Sequence, residues 1–232
     1  MTLPSQSPPR SMRLGLGSRA GVGALLLIAC TLVAAAACRD EVDGSGQSAT
    51  EQRSVAPFTE LSVRGAIEAQ VRIGQPQSVA ITGDDNVVPI IKTDVSSNRL
   101  TVEPERSYNS SVPLRVEIVV PELDWIGISG ASTVTVTGVD VDEMNLRASG
   151  ASTLRVSGIA GDVKAEASGA SRMRLEDLAA ETADVDATGA STIEVTVSDR
   201  LTGSASGAST ITYAGNPEVS VRASGASSVR QR

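Results

Sequence analysis

Five small residues recur six times in this chain, and no other feature limits its fold so tightly. SGAST at 129 to 133 returns as SGAST at 149 to 153, SGASR at 168 to 172, TGAST at 188 to 192, SGAST at 206 to 210 and SGASS at 224 to 228. The central glycines, Gly130, Gly150, Gly169, Gly189, Gly207 and Gly225, are spaced by 20, 19, 20, 18 and 18 residues. A constant period of this size marks stacked units, each of which buries its apolar side only against its neighbours.

The residues around each glycine alternate. Leu146, Ala148, Gly150, Ser152, Leu154 and Val156 share one parity, while Arg147, Ser149, Ala151, Thr153 and Arg155 share the other. Ile126, Ile128, Gly130, Ser132, Val134 and Val136 repeat the pattern, as do Val185, Ala187, Gly189, Ser191, Ile193 and Val195. Alternation at period 2 is the strand signature, and the glycines and β-branched residues disfavour a helix. Each period reads as two short strands joined at GAS, then a turn such as TGVDVDE, SGIAGD, LEDLAAE, VSDR or AGNPE. The expected fold is all-β: a β-helix or β-solenoid of about six short SGAS coils, preceded by an irregular β-rich half.

This reading places glycine and serine inside a cramped corner. The inward serines, Ser132, Ser152, Ser171, Ser191, Ser209 and Ser227, then need partners, because an unpaired buried hydroxyl costs about 1–3 kcal/mol. Each is expected to donate to the next serine or to backbone. Trp125, where the irregular half meets the repeats, is expected to plug that end of the core.

Four segments follow. Residues 1–38 carry Arg10, Arg13 and Arg19, no acidic residue, and an apolar run from Ala20 to Ala37, which is a secretory signal pattern. Cys30 in LIAC and Cys38 in AAAC both resemble the bacterial lipobox. Cys38 is the favoured lipidation site because the polar stretch RDEVDGSGQSATEQR follows it at once; Cys30 is the alternative, and an uncleaved anchor helix is another. Residues 39–54 read as a polar tether, 55–121 as the irregular half and 122–232 as the regular solenoid. Removing the three arginines of the signal leaves 17 basic side chains against 27 acidic ones, a surface that repels nucleic acid.

The blocks FTELSVRGAIEAQVRIGQPQSVAITGDDNVVPIIKTDV, NRLTVE and VVPELDWIGISGAS, followed by the SGAS series, resemble the bacterial auto-transporter adhesin head GIN domain family over roughly residues 55 to 230. The resemblance implies an exported, often lipid-anchored β-helix-like domain with no established catalytic residues to carry over.

Chemistry-bearing residues are sparse. There is no histidine, and lysine is limited to Lys92 and Lys164. Asp84 and Asp85, and Asp140, Asp142 and Glu143, lack the spacing of a calcium loop and read as solvated turn residues. No cofactor or metal is expected, and the chain is read as a non-enzyme. The outward parity leaves a candidate interaction face of three columns: Ser149, Ser168, Thr188 and Ser206; Ala151, Ala170, Ala190 and Ala208; and Thr153, Thr192 and Thr210, interrupted by Arg172. If the chain does not bend sharply at GAS, these columns form a flat strip suited to a glycan, a protein or a second copy. The expected role is adhesion or interaction at the bacterial envelope, with attachment to the membrane through the N-terminal lipid. The alternatives are a polysaccharide-active β-helix enzyme and a structural or assembly factor of the envelope.

Overall fold

The computed structural model describes residues 41–232. The fold is a β-solenoid, as expected. In chain order its strands are β1 (Val42–Asp43), β2 (Ser48–Arg53), β3 (Glu60–Val63), β4 (Glu68–Ile73) and β5 (Ser78–Asp84). A 3-10 turn at Val88–Ile90 leads into β6 (Ile91–Ser96), β7 (Arg99–Pro104), β8 (Tyr108–Asn109), β9 (Arg115–Val120) and β10 (Trp125–Ile128). The repeats follow as β11 (Thr133–Ala148), β12 (Thr153–Ala167), β13 (Arg172–Ala187), β14 (Thr192–Ala205), β15 (Thr210–Ala214), β16 (Glu218–Ala223) and β17 (Ser228–Gln231).

Each long repeat strand runs from one SGAS corner to the next and bends midway. Its first half belongs to a back sheet ordered β2, β5, β9, β4, β11 to β14, β15, β17. Its second half belongs to a front sheet ordered β6, β7, β3, β10, β11 to β14, β16. The midway bend is a register shift, between Val136 and Val139 in β11 and between Arg155 and Gly158 in β12. The segments TGVDVDE, SGIAGD, LEDLAAE and VSDR, read as turns, are therefore bulged strand, and Val139 within TGVDVDE is buried; AGNPE does turn the chain, between β15 and β16.

The pairing is parallel and in register, so like residues stack: Val134 on Leu154, Met173 on Leu154, Ile193 on Met173 and Ile211 on Ile193. All five are fully buried. A parallel sheet needs both its faces or its interior dry, and here the two sheets bury one another's inner parity.

The irregular half does not stack in sequence order. β7 and β9, later in the chain, pair beneath β3 and β4. The chain then passes Pro121–Asp124 and climbs over that layer, so that β10 lies on the opposite edge of β3. β5 and β6 run antiparallel to β9 and β7, and β2, antiparallel to β5, finishes the back sheet; Val79 and Ile81 of β5, with Val88 and Leu114, are buried at this end.

Two expectations are corrected here. The supposed tether is folded: β1 pairs with β8 and β2 with β5. Trp125 does not plug the core. Ile126 and Ile128 point inward, so Trp125 lies outside on the front sheet, half-buried. Its indole lies against Gly127, where any β-carbon would collide with the ring, and the Arg99 guanidinium stacks 3.8 Å from the ring centroid. Arg99 is held there by Glu60, at 2.6 Å and 2.7 Å.

Candidate interaction surface

Every SGAS segment is a tight corner. Gly150, Gly169, Gly189, Gly207 and Gly225 adopt φ between 70° and 75°, the left-handed region that only glycine enters freely. A β-carbon on Gly150, Gly169, Gly189 or Gly207 would stand 2.6–2.8 Å from the carbonyl oxygen of the glycine one coil below. These glycines are exposed, not inward. Their recurrence follows from backbone handedness and close coil-to-coil approach, which corrects the expectation of a cramped interior.

The serines are inward, as expected: Ser132, Ser152, Ser171, Ser191 and Ser209 are buried. Their hydroxyls reach backbone rather than one another. Ser152 donates to the Ser149 carbonyl at 2.9 Å; Ser171 reaches Ser168 at 2.8 Å and Ala148 at 3.2 Å; Ser209 donates to Ala187 at 3.0 Å. The hydroxyl clips the corner to itself at Ser152, to the coil below at Ser191 and Ser209, and both ways at Ser132 and Ser171.

The alanines stand apart. Ala131, Ala151, Ala170, Ala190 and Ala208 are exposed at the corner tip, and each donates its N–H to the glycine carbonyl one coil below at 2.7–2.8 Å. Their side chains point to solvent, so the fold itself makes no use of their small size. Ser149, Ser168 and Ser206 flank them half-buried, and Thr188 exposed, on the front side; Thr153, Thr192 and Thr210 flank them half-buried on the back. Because the chain turns sharply between these columns, they form a narrow ridge and not a flat strip. Arg172 projects from the ridge in the third coil.

One layer of the ridge escaped sequence reading. Gly65, with φ of 100°, accepts the Ala131 N–H at 2.7 Å, so RGAI lies directly beneath the first SGAS. Its signal was the parallel between VRGAIEA and ISGASTV, with Ile67 in place of serine.

Several carboxylates are engaged in coil-to-coil contacts, while Glu143 accepts the Asn145 side-chain amide of its own strand at 3.2 Å. On the front sheet Asp162, Asp184 and Asp186 accept hydroxyls from Thr182, Thr202 and Ser204 of the next coil at 2.5, 3.1 and 2.5 Å, and Glu166 pairs with Arg147 at 3.2 Å. Among the described residues no three His, Cys, Asp or Glu side chains gather as a metal site.

Asp84 departs from its expected role as a solvated turn residue. It is fully buried, and its carboxylate accepts the N–H groups of Gly46, Ser111 and Val112 and the Ser110 hydroxyl at 2.7–3.0 Å. The Val112 N–H is the largest influence lowering its pKa, with Gly46, Ser110 and Ser111 adding to it and burial opposing. Asp84 joins three stretches of chain: the N-terminal segment, β5 and the loop before β9. Asp85 beside it does remain exposed and accepts the Ser45 hydroxyl at 2.5 Å. Cys30 and Cys38 lie outside the described residues.

The fold has solved relatives. A "putative adhesin" from Bacteroides fragilis is 16% identical, superposes with a TM-score of 0.69, and covers 82% of this chain and 100% of its own. A "putative adhesin" from Parabacteroides merdae is 16% identical, with a TM-score of 0.55 and coverage of 84% and 100%. A "putative lipid binding protein" from Parabacteroides distasonis is 17% identical, with a TM-score of 0.51 and coverage of 83% and 99%. At such identities the likeness is one of fold. No curated protein matches the chain in sequence. The family model described as "Putative auto-transporter adhesin, head GIN domain" matches residues 57–217, from the segment before β3 to the residue before β16, and the chain therefore belongs to that family.

Proposed function

We propose that this chain is a lipid-anchored, non-enzymatic module of the bacterial envelope that makes adhesive contacts through the SGAS ridge. The observation that carries the reading is the exposed alanine column. Handedness accounts for the glycines and the backbone clip for the serines, whereas nothing in the fold demands that Ala151, Ala170, Ala190 and Ala208 stay small. A row of methyl groups with hydroxyls on either flank allows a partner to approach the backbone closely over several coils. Family membership supports adhesion over catalysis. So does the commitment of Asp162, Asp184 and Asp186 to neighbouring hydroxyls, since a glycosidase needs two carboxyl groups free to act on one bond.

Cys38 is the proposed lipid site. Val42 already pairs with Tyr108, so only residues 39–41 separate Cys38 from the folded domain. The lipid would then hold the finished end of the solenoid close to the membrane.

The test is attachment of intact cells displaying the chain, together with binding of the purified chain to envelope glycans. Ala170→Glu and Ala190→Arg place long charged groups at mid-ridge and are expected to lower attachment by tenfold or more. Asp199→Lys, an exposed change away from the ridge, should have no effect. Attachment unchanged in both ridge variants, with circular dichroism showing them folded, would leave corner geometry as the only reason for the repeat.

A further inference from the structure

The two ends of the solenoid are finished differently. The first end is closed by antiparallel strands over a buried interior. At the other end β16 is bonded only to β14 and β17 only to β15, and among the described residues nothing lies on their outer edges. The inward side chains of this last coil are uncovered. Val219 stands on Leu201 and Val221 on Gly203, yet Leu201 is 0% exposed and Val219 is 41% exposed.

The backbone of β16 is uncovered in the same way. At the equivalent positions four coils below, Asn145 and Ser149 donate down the stack, and in the last coil Ser224 donates down to Ala205. Backbone groups alternate in direction along a strand, so the even-numbered residues of β16 face β14. Val219, Val221 and Ala223 then turn their N–H and C=O groups to the open edge. Such an edge is a template for another strand, and proteins ordinarily cover or pair it.

We propose that this end pairs with the same end of a second copy, β16 antiparallel to β16 about a two-fold axis at Ser220. In that register Val219 of each copy faces Val221 of the other, their open backbone groups exchange hydrogen bonds, and four valines close the exposed core end. On the outer side Glu218 of each copy stands opposite Arg222 of the other. Registers that keep open backbone groups face to face differ by whole-residue moves of the axis. Moving it to Val219 or Val221 sets Glu218 against Ser220 or Ser224, and moving it to Glu218 or Arg222 sets like charges together. Only the axis at Ser220 matches both charges, which is the self-complementarity that a two-fold interface requires. β16 begins just after residue 217, where the family match ends, so the proposal rests on this chain's own last coil and not on the ridge.

The test is the mass of the full chain in detergent, measured by sedimentation over a range of concentrations. The expected species is a dimer. Glu218→Arg and Arg222→Glu each convert two attractive cross-strand pairs into repulsive ones and should weaken association about tenfold. The double exchange, Glu218→Arg with Arg222→Glu, restores both pairs with the signs reversed and should restore the dimer. Circular dichroism would confirm that each variant keeps its strands, and Ala170→Glu on the ridge should leave the mass unchanged. A chain that is monomeric throughout, single exchanges that dimerise as tightly as the parent, or a double exchange that fails to recover would each overturn the proposal.

Discussion

The carbonyl oxygen of Gly169 lies 2.7 Å from the place where a β-carbon on Gly189 would stand, and the same oxygen accepts the Ala190 N–H at 2.7 Å. One atom therefore both joins two coils and excludes a side chain from the corner between them. Gly189→Ala is expected to cost about 1–3 kcal/mol through the left-handed backbone and the displaced oxygen. Ala190→Val, one residue on and exposed, should stay within about 0.5 kcal/mol. Thermal unfolding of the two variants checks this, and equal losses would contradict the assignment of the contact.

That contact also shows where sequence parity succeeds and where it loses meaning. Alternation marks the buried side correctly at Leu146, Ala148, Ser152, Leu154 and Val156, because each lies in or directly beside an extended strand. It fails at Gly150 between them. A left-handed residue turns the chain, so counting in twos across it returns to the right parity only because three residues, Ser149, Gly150 and Ala151, stand between the buried Ala148 and Ser152. The order of the lower coils was illegible for another reason: β7 and β9 slip beneath β3 and β4 through long-range pairing that leaves no local trace. Asp84 and the strands β1 and β2 were missed together, since polar composition suggests solvent and does not reveal three backbone donors waiting for one carboxylate.

Asp84 predicts an acid-sensitive end to the solenoid. Its folded pKa is lowered, so the stabilisation it gives is present above the unfolded value, near 3.8, and is lost as pH falls through the folded value. As pH falls below about 4 the parent chain should lose melting temperature, whereas Asp84→Asn, destabilised at neutral pH, should lose less over the same acid range. The deficit between them should therefore shrink on acidification. Hydrogen exchange at the Gly46, Ser111 and Val112 amides would report the opening locally. A deficit that stays constant from pH 7 to about pH 3 would contradict the role assigned to this carboxylate.

Trp125 is the only tryptophan, so its fluorescence reports one place on the front sheet. Gly127→Ala would put a methyl group where the indole now lies and lift the ring away from the sheet. The emission should shift to the red, and loss of the Arg99 stack should cost about 0.5–1 kcal/mol beyond any strain. Arg99→Gln should reproduce much of the spectral shift, while leaving the slot against Gly127 intact. Unchanged emission in both variants would be inconsistent with the packing described.

The choice of lipid site is open to a direct measurement, and the folded start of the domain sharpens it. With Val42 in a strand beside Tyr108, a lipid on Cys38 has three intervening residues, whereas a lipid on Cys30 would leave TLVAAAA between the acyl chains and the fold. Each buried methylene of an acyl chain contributes about 0.8 kcal/mol, so a diacylated cysteine holds a chain that its net acidic surface would otherwise keep off anionic lipid. Cys38→Ser should move the protein from the detergent phase to the aqueous phase on phase partition, and Cys30→Ser should leave it in detergent. The mass of the N-terminal peptide would show whether acylation occurs on the first residue after cleavage. If Cys30→Ser alone releases the protein, the apolar heptad belongs to the mature chain, and the solenoid stands farther from the membrane than the position of Val42 implies.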